Sequence, residues 1–304
     1  MNCKQILLIF IISKSSRPCV YIFHSRRPNL VTLKKIMSNT TDYPFRLDHI
    51  HMDIPYTNWA LDIYPPWTYL LSFGSCLVYL FLISTVFPLF KTKFTKSFAT
   101  NHYALLFLYS LVTFLAAFIY VLQAGQLTNW RDYICLPIPT WLRALSITFA
   151  LSKIWEWFDT AVLISKGHTL SKIGFLHIYH HATTFLLFLS IMNLPGGEKS
   201  GVLMNGFVHA LMYYHFAFRL PKLLRPVITG LQIVQLVSST YIWHITPDVC
   251  PRYRDFPRQN FIEFLLPYIL VPVYCLFFFK FFFEQYLFSS TTKKSKASSP
   301  VKEE

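Results

Sequence analysis

Between residues 67 and 288 the chain runs through long apolar stretches separated by short polar connections, and it does so seven times. The stretches fall at roughly 67–90, 102–123, 143–165, 174–193, 201–218, 226–245 and 262–287. Each is close to the ~20 residues that a helix needs to cross a bilayer. None shows the apolar/polar alternation of a barrel strand, and backbone groups cannot stay unpaired in lipid, so the pattern predicts helices. The expected fold is all-α, a polytopic membrane protein with about seven transmembrane helices. Residues 1–66 read as an amino-terminal tail, partly disordered. Their opening run "MNCKQILLIFII" has an apolar core too short to span, and Met37 starts a second plausible amino terminus. Residues 289–304 read as a basic carboxyl-terminal tail.

Composition agrees: of 304 residues, 54% are hydrophobic, 18% aromatic and only 14% charged. The net charge of +14 changes the picture less than it would in a soluble chain. The basic residues sit between and beyond the apolar runs, and no basic and aromatic module for nucleic acid is present, so nucleic-acid binding is set aside. Lys91, Lys93 and Lys96, then Lys166 and Lys172, then Arg219, Lys222 and Arg225, then Lys293, Lys294 and Lys296 all fall on one side of a seven-span topology. The positive-inside bias makes that side cytosolic and the amino terminus lumenal; Arg252, Arg254 and Arg258 run against it. Asn39 in Asn39-Thr40-Thr41 is a glycosylation sequon on the lumenal side. Cys135 and Cys250 lie in two different lumenal loops, where a disulfide can form. The six cysteines include no C-x-x-C pair.

Polar residues inside spans carry the chemistry, because a charge near the centre of a membrane helix costs about 2.5–3.5 kcal/mol unless it is paired or used. The third span contains "KIWEWFDT", which places Glu156, Asp159 and Thr160 on one broad helical face with Lys153 a turn earlier. That group reads either as an internal ion-pair network or as a set that orients catalytic imidazoles. The fourth span contains "HIYHH", with His177, His180 and His181 at i, i+3 and i+4 on one side of the helix. Three imidazoles can ligate a metal or act in nucleophilic and acid–base catalysis. A di-iron site would need further histidine boxes, and the remaining histidines form none, so no metal is expected. The fifth span, "NGFVHALMYYHF", repeats Asn205, His209, Met212 and Tyr213 along one stripe. The sixth adds Gln232 and Gln235 in "TGLQIVQ", whose neutral amides either bind a substrate or join helices.

Taken together and in this order, "KIWEWFDT", "HIYHH", "NGFVHALMYY" and "TGLQIVQ" resemble the ELO family of very-long-chain fatty acid elongases, over about residues 60–290. The resemblance implies a seven-helix protein of the endoplasmic reticulum membrane enclosing an acyl-chain tunnel. It implies condensation of acyl-CoA with malonyl-CoA to 3-ketoacyl-CoA, CO2 and CoA, with malonyl-CoA as co-substrate, no cofactor, and the other enzymes of the elongation cycle as partners. It also implies an acyl-imidazole on the middle histidine of the box, here His180, with His181, His177 and His209 handling protons. Lys153, Glu156, Asp159, Asn205, Tyr213, Gln232 and Gln235 are then expected to orient groups or substrate, and cytosolic Lys166, Lys172, Arg219 and Lys222 to meet CoA phosphates. The chain departs from the family's H-x-x-M-Y-x-Y-Y, because His215 and Phe216 stand where tyrosines are usual. Lys172 occupies the place of a glutamine common to polyunsaturated-type elongases, so the chain looks more like the class acting on saturated and monounsaturated chains. A non-enzymatic polytopic protein, either a transporter or an inactive elongase-like subunit, is the alternative.

Overall fold

The structure, a computed structural model, describes residues 67–288 together with two short strands, β1 (Leu8–Ile11) and β2 (Cys19–Ile22). The strands pair antiparallel with Leu8 opposite Ile22 and form part of a separate amino-terminal unit. They lie in a segment rich in β-branched and aromatic residues, the composition that favours a ladder, and outside the all-α helical unit. The remainder of the 1–66 tail, the Asn39 sequon and the 289–304 tail lie outside the described residues.

Each of the seven apolar runs is helical. The first is α1 (Trp67–Phe81), prolonged to Phe90 by a π turn and a 3-10 turn, and the second is α2 (Lys96–Gln123), capped by Thr95, whose hydroxyl accepts from Phe98 N. A short α3 (Trp130–Cys135) follows. The third run is two pieces, α4 (Thr140–Trp155) and α5 (Trp157–Ser165), and a short α6 (Leu170–Ile173) leads into α7 (Phe175–Ile191). The fifth run is again composite: α8 (Pro195–Ser200), a π turn over Gly201–Asn205, and α9 (Gly206–Phe218). Then come α10 (Arg225–Val249), the short α11 (Phe256–Gln259) and α12 (Phe261–Phe282), which ends in a π turn to Phe288.

Three stretches, Leu70–Phe90, Lys96–Gln123 and Phe261–Leu287, are long and apolar enough to cross a membrane on length and composition alone; Phe175–Ile191 is apolar but shorter. The other runs fall short for a local reason. The third breaks at Glu156 and carries Arg143, Lys153 and Asp159, the fifth is assembled from three pieces, and α10 is studded with Thr, Gln and Ser.

Helix contacts run in a closed circuit, α2 to α9 to α10 to α12 to α7 to α4 and back to α2, while α1 packs on the outside of α7. α9 lies flush on α2 because Gly206 has no Cβ, which would sit 3.3 Å from the backbone N of Phe114. Aromatic packing fills the joints, with Phe149, Phe185 and Phe188 between α4 and α7, and Tyr103, Leu106, Val162 and Tyr213 where α2, α5 and α9 meet. The outside of the ring presents large apolar side chains such as Leu105, Val112, Val237, Ile269 and Leu276, the surface that lipid covers.

One end of the ring is tied covalently. Cys135 of α3 is bonded to Cys250 just beyond α10, across 115 residues of sequence, and Arg131 donates to Val249 O at 3.3 Å beside it. Within this end α8 is buried, with Lys199 donating to Gln126 Oε1, Asp132 O and Leu136 O, and Arg143 paired with Glu198. Closing so long a loop restricts the unfolded chain, so reduction or a Cys135→Ser/Cys250→Ser variant is expected to lower stability by about 2–4 kcal/mol. Thermal unfolding of the detergent-solubilised protein with and without reductant reads this, and equal midpoints would mean the bond contributes nothing.

Candidate active site

The break at Glu156 organises the interior. Glu156 N bonds to Ser152 O as in an ordinary helix, but Asp159 N reaches only to Glu156 O, so α4 and α5 meet at a tighter step. That step separates side chains which a continuous helix would hold on one face. Lys153 and Glu156 turn to α9, Asp159 turns to α2 and α9, and Thr160 turns to α1 and α7. The single broad face expected of "KIWEWFDT" is therefore three separate bonding directions.

The first direction is a buried charge cluster. Lys153 Nζ donates to Glu156 Oε1 at 2.6 Å and to Asn205 Oδ1 at 2.9 Å, and lies over the rings of Phe149 and Phe188. His209 Nδ1 stands 3.3 Å from Glu156 Oε1, so an Nδ1–H donates to the carboxylate and leaves Nε2 as the second ring nitrogen. Asn205 reaches this cluster from the π turn that precedes α9, a helix irregularity of the kind that often marks functional sites.

In the second direction, Asp159 accepts from His102 Nε2 at 2.7 Å and from the Tyr213 hydroxyl at 2.8 Å. Asp159, read from the sequence either as part of an internal ion-pair network or as an orienter of imidazoles, joins α2, α5 and α9. His102, the partner it takes, was assigned no role from the sequence, although an imidazole in an otherwise apolar helix is itself a signal. In the third direction, Thr160 Oγ1 lies 2.9 Å from both Tyr79 OH and His177 Nε2.

The three imidazoles of "HIYHH" have different surroundings. His177 is held by Thr160, and His181 is buried with Nδ1 unbonded and its ring centroid 4.3 Å from that of His177. His180 makes no hydrogen bond among the described residues and lines a cavity between α7, α10 and α12. Its ring lies 5.4 Å from that of Tyr274, whose hydroxyl donates to Thr183 Oγ1 at 2.6 Å, since Thr183 spends its own proton on Tyr179 O. Asn205, Gln235 and Thr184 share the cavity wall.

Gln235 Oε1, Thr184 Oγ1, His181 Nδ1 and Glu156 Oε2 are buried and make no hydrogen bond. Buried polar atoms in folded proteins are nearly always paired. Two of these four, Gln235 Oε1 and Thr184 Oγ1, belong to the cavity wall and mark a place where a polar ligand group completes the bonding. Gln232, by contrast, points to Met212, with Nε2 3.6 Å from the sulfur, and is not in the cavity wall. The substituted positions also face elsewhere: His215 Nδ1 accepts from Leu220 N at the end of α9, and Phe216 packs on Tyr103. Their departure from the family pattern leaves the cavity wall unchanged. Among the described residues no group of three or more His, Cys, Asp or Glu is placed to hold a metal ion.

The profile of the family "ELO: GNS1/SUR4 family" matches residues 65–296. Over 162 residues the chain is 31% identical to "Putative fatty acid elongase 4" of Caenorhabditis elegans, covering 50% of this chain and 53% of that one. "Fatty acid elongase 6" of Leishmania major is 34% identical, covering 54% and 42% of the two chains. "Very long chain fatty acid elongase 3" of Mus musculus is 30% identical over 238 residues, covering 71% and 82%. The chain spans about half the length of the nematode and Leishmania relatives. No solved structure matches. With the family profile running from just before α1 to beyond the end of α12, over every element that builds the helical ring, this chain belongs to the ELO (GNS1/SUR4) family.

Proposed function

We propose that the protein condenses a long-chain acyl-CoA with malonyl-CoA to give 3-ketoacyl-CoA, CO2 and CoA. The observation that carries this reading is the unbonded His180 imidazole in a cavity whose wall holds orphaned polar atoms at Gln235 and Thr184. A ring nitrogen of His180 attacks the thioester carbonyl, the C–S bond breaks, and CoA leaves as the thiol after taking a proton. The acyl-imidazole then meets the carbanion formed when malonyl-CoA loses CO2; the new C–C bond forms as the C–N bond breaks, and the departing imidazolate takes up a proton to regenerate the imidazole. The Gln235 amide and Asn205 flank the carbonyl as its charge develops. His209, with Nδ1 turned to Glu156, and His181, with Nδ1 unbonded, carry the protons. His177, Asp159 and Tyr213 act at one remove, by fixing α7, α5 and α9. Shielding by the helical ring slows hydrolysis of the labile acyl-imidazole.

The cavity is narrow, about 60 Å³. Seating a long acyl chain therefore requires Leu187, Leu236 and Val271 on its walls to turn aside. A second, more polar cleft lies between Lys96, Lys166 and Arg219, where α2, α5 and α9 meet. That three of the basic residues assigned to the cytosolic side converge there supports CoA phosphates approaching from that side, with Lys172 and Lys222 as further contacts. In this reading seven spans cross the endoplasmic reticulum membrane with the amino terminus lumenal and the carboxyl terminus cytosolic. The disulfide end faces the oxidising lumen, and the remaining enzymes of the cycle are partners. Membranes carrying the protein are expected to form malonyl-CoA-dependent 3-ketoacyl-CoA from saturated and monounsaturated acyl-CoAs. No product with any acyl-CoA would remove the elongase reading in favour of a non-enzymatic one, and a strong polyunsaturated preference would overturn the substrate class.

A further inference from the structure

The two positions at which the chain departs from the family pattern, His215 and Phe216, sit where α9 ends beside the second, polar cleft. That cleft holds about 230 Å³, and Lys96, Lys166 and Arg219 stand on its wall. Among the described residues no carboxylate shares the wall, so three cations face one space without a counter-charge from the protein. Lys166 is steadied over the Tyr103 ring, with Nζ 5.6 Å from the centroid, and Lys96 opens α2 behind the Thr95 cap. Arg219 lies just beyond the last turn of α9, and its exposed side chain makes no hydrogen bond or ion pair among the described residues. Its direction is therefore set by the backbone that carries it.

That backbone is in an unusual state. Arg219 has φ 61° and ψ 89°, in the left-handed region that glycine normally fills at a helix end. A residue with a side chain holds such a conformation only where its neighbours fix it. His215 fixes it twice: its carbonyl oxygen accepts from Arg219 N at 2.9 Å, and its ring Nδ1 accepts from Leu220 N at 3.0 Å. Where glycine ends a helix, the second of these N–H groups usually bonds back to a backbone carbonyl; here the imidazole takes the place of that carbonyl. The bond requires Nδ1 without a proton, so the ring carries its proton on Nε2. Pro221, with φ −50°, follows directly and bars a return to helix at Leu220. The tyrosine usual in the family has carbon at the ring position that Nδ1 occupies, and so would offer Leu220 no acceptor.

We propose that His215 is a positioning residue for CoA binding: its Nδ1 holds the left-handed turn at Arg219 and so keeps the guanidinium in the cleft wall with Lys96 and Lys166, where CoA phosphates bind. This rests on the elongase reading and deepens it. The test measures kcat and KM for malonyl-CoA, at saturating acyl-CoA, in membranes carrying the wild type, His215→Phe, His215→Asn and Arg219→Gln. Phenylalanine keeps a ring but has no acceptor, whereas asparagine gives up the ring but places Oδ1 where Nδ1 stood. His215→Phe is expected to raise KM about tenfold with kcat within about threefold of wild type, the pattern of lost ground-state binding. His215→Asn is expected to bring KM back to within about threefold of wild type, which a role in ring packing alone would not do. Arg219→Gln is expected to raise KM about tenfold, and adding His215→Phe to it to change KM by less than about twofold, because the two act through one contact. If His215→Phe fails to accumulate, His215→Leu, which also lacks an acceptor, takes its place. A wild-type KM in the variants without the acceptor, an equal rise with asparagine, or a full further rise in the double variant would overturn the positioning role while leaving the elongase reading intact. A wild type with no malonyl-CoA-dependent product from any acyl-CoA would overturn both.

Discussion

Replacing His180 with alanine is expected to lower condensation by about 10³-fold or more while the protein still accumulates in membranes. The imidazole makes no hydrogen bond among the described residues, so its removal strands no partner, and the loss reports chemistry rather than folding. His209→Ala offers the contrast. It takes a neighbour from Glu156 and is expected to reduce both activity and the amount of folded protein. The measurement is product formed per unit of folded protein, with folding followed by gel filtration in detergent. A His180→Ala protein that kept more than about a tenth of wild-type turnover would exclude an acyl-imidazole on this residue.

The largest stability effect is expected from Lys153→Met. Lys153 is 0% exposed and Glu156 1%, so the change leaves a carboxylate buried beside His209 without its main counter-charge. Breaking one side of such a pair typically costs about 3–5 kcal/mol. Methionine keeps the length of the stem and its packing against Phe149 and Phe188, so the penalty is electrostatic. Adding Glu156→Gln removes the stranded charge and is expected to recover part of the loss, as non-additivity within a contact pair requires. Thermal unfolding of the three variants in one detergent gives the comparison. A single variant within about 1 kcal/mol of wild type would mean that the pair is not a fixed ion pair.

The positions of the membrane helices were legible because oil-like runs admit little else, and all seven runs are helical. What periodicity could not supply was irregularity. A regular helix carries Glu156, Asp159 and Thr160 on one face, and only the 3-10 step between α4 and α5 sends them apart. The same limit applies to "HIYHH". Spacing groups its three rings on one side, yet the neighbours on α5, α10 and α12 give His177 a threonine and His180 a cavity. Asn205 and His209 were readable as a stripe and do converge on Lys153. Gln235 and Gln232 look equivalent in sequence, and only the rotation of α10 puts the first in the cavity and turns the second toward Met212. His102 was given no role from the sequence, and its carboxylate partner lies 57 residues away, beyond the reach of local pattern. Tyr274 gave no signal, since aromatic residues are abundant in these spans.

The bond between Cys135 and Cys250 also puts a clock on biosynthesis. The first thiol is made long before the second, which lies 115 positions further along the chain, beyond α4, α5, α7, α9 and α10. At ribosomal speeds of about 5–20 residues per second, Cys135 waits roughly 6–23 s for its partner. The bond can close only after α10 has been inserted and its far end has emerged beside α3. Oxidation of this pair therefore records that six of the seven apolar runs are in place, a covalent checkpoint late in the making of the chain.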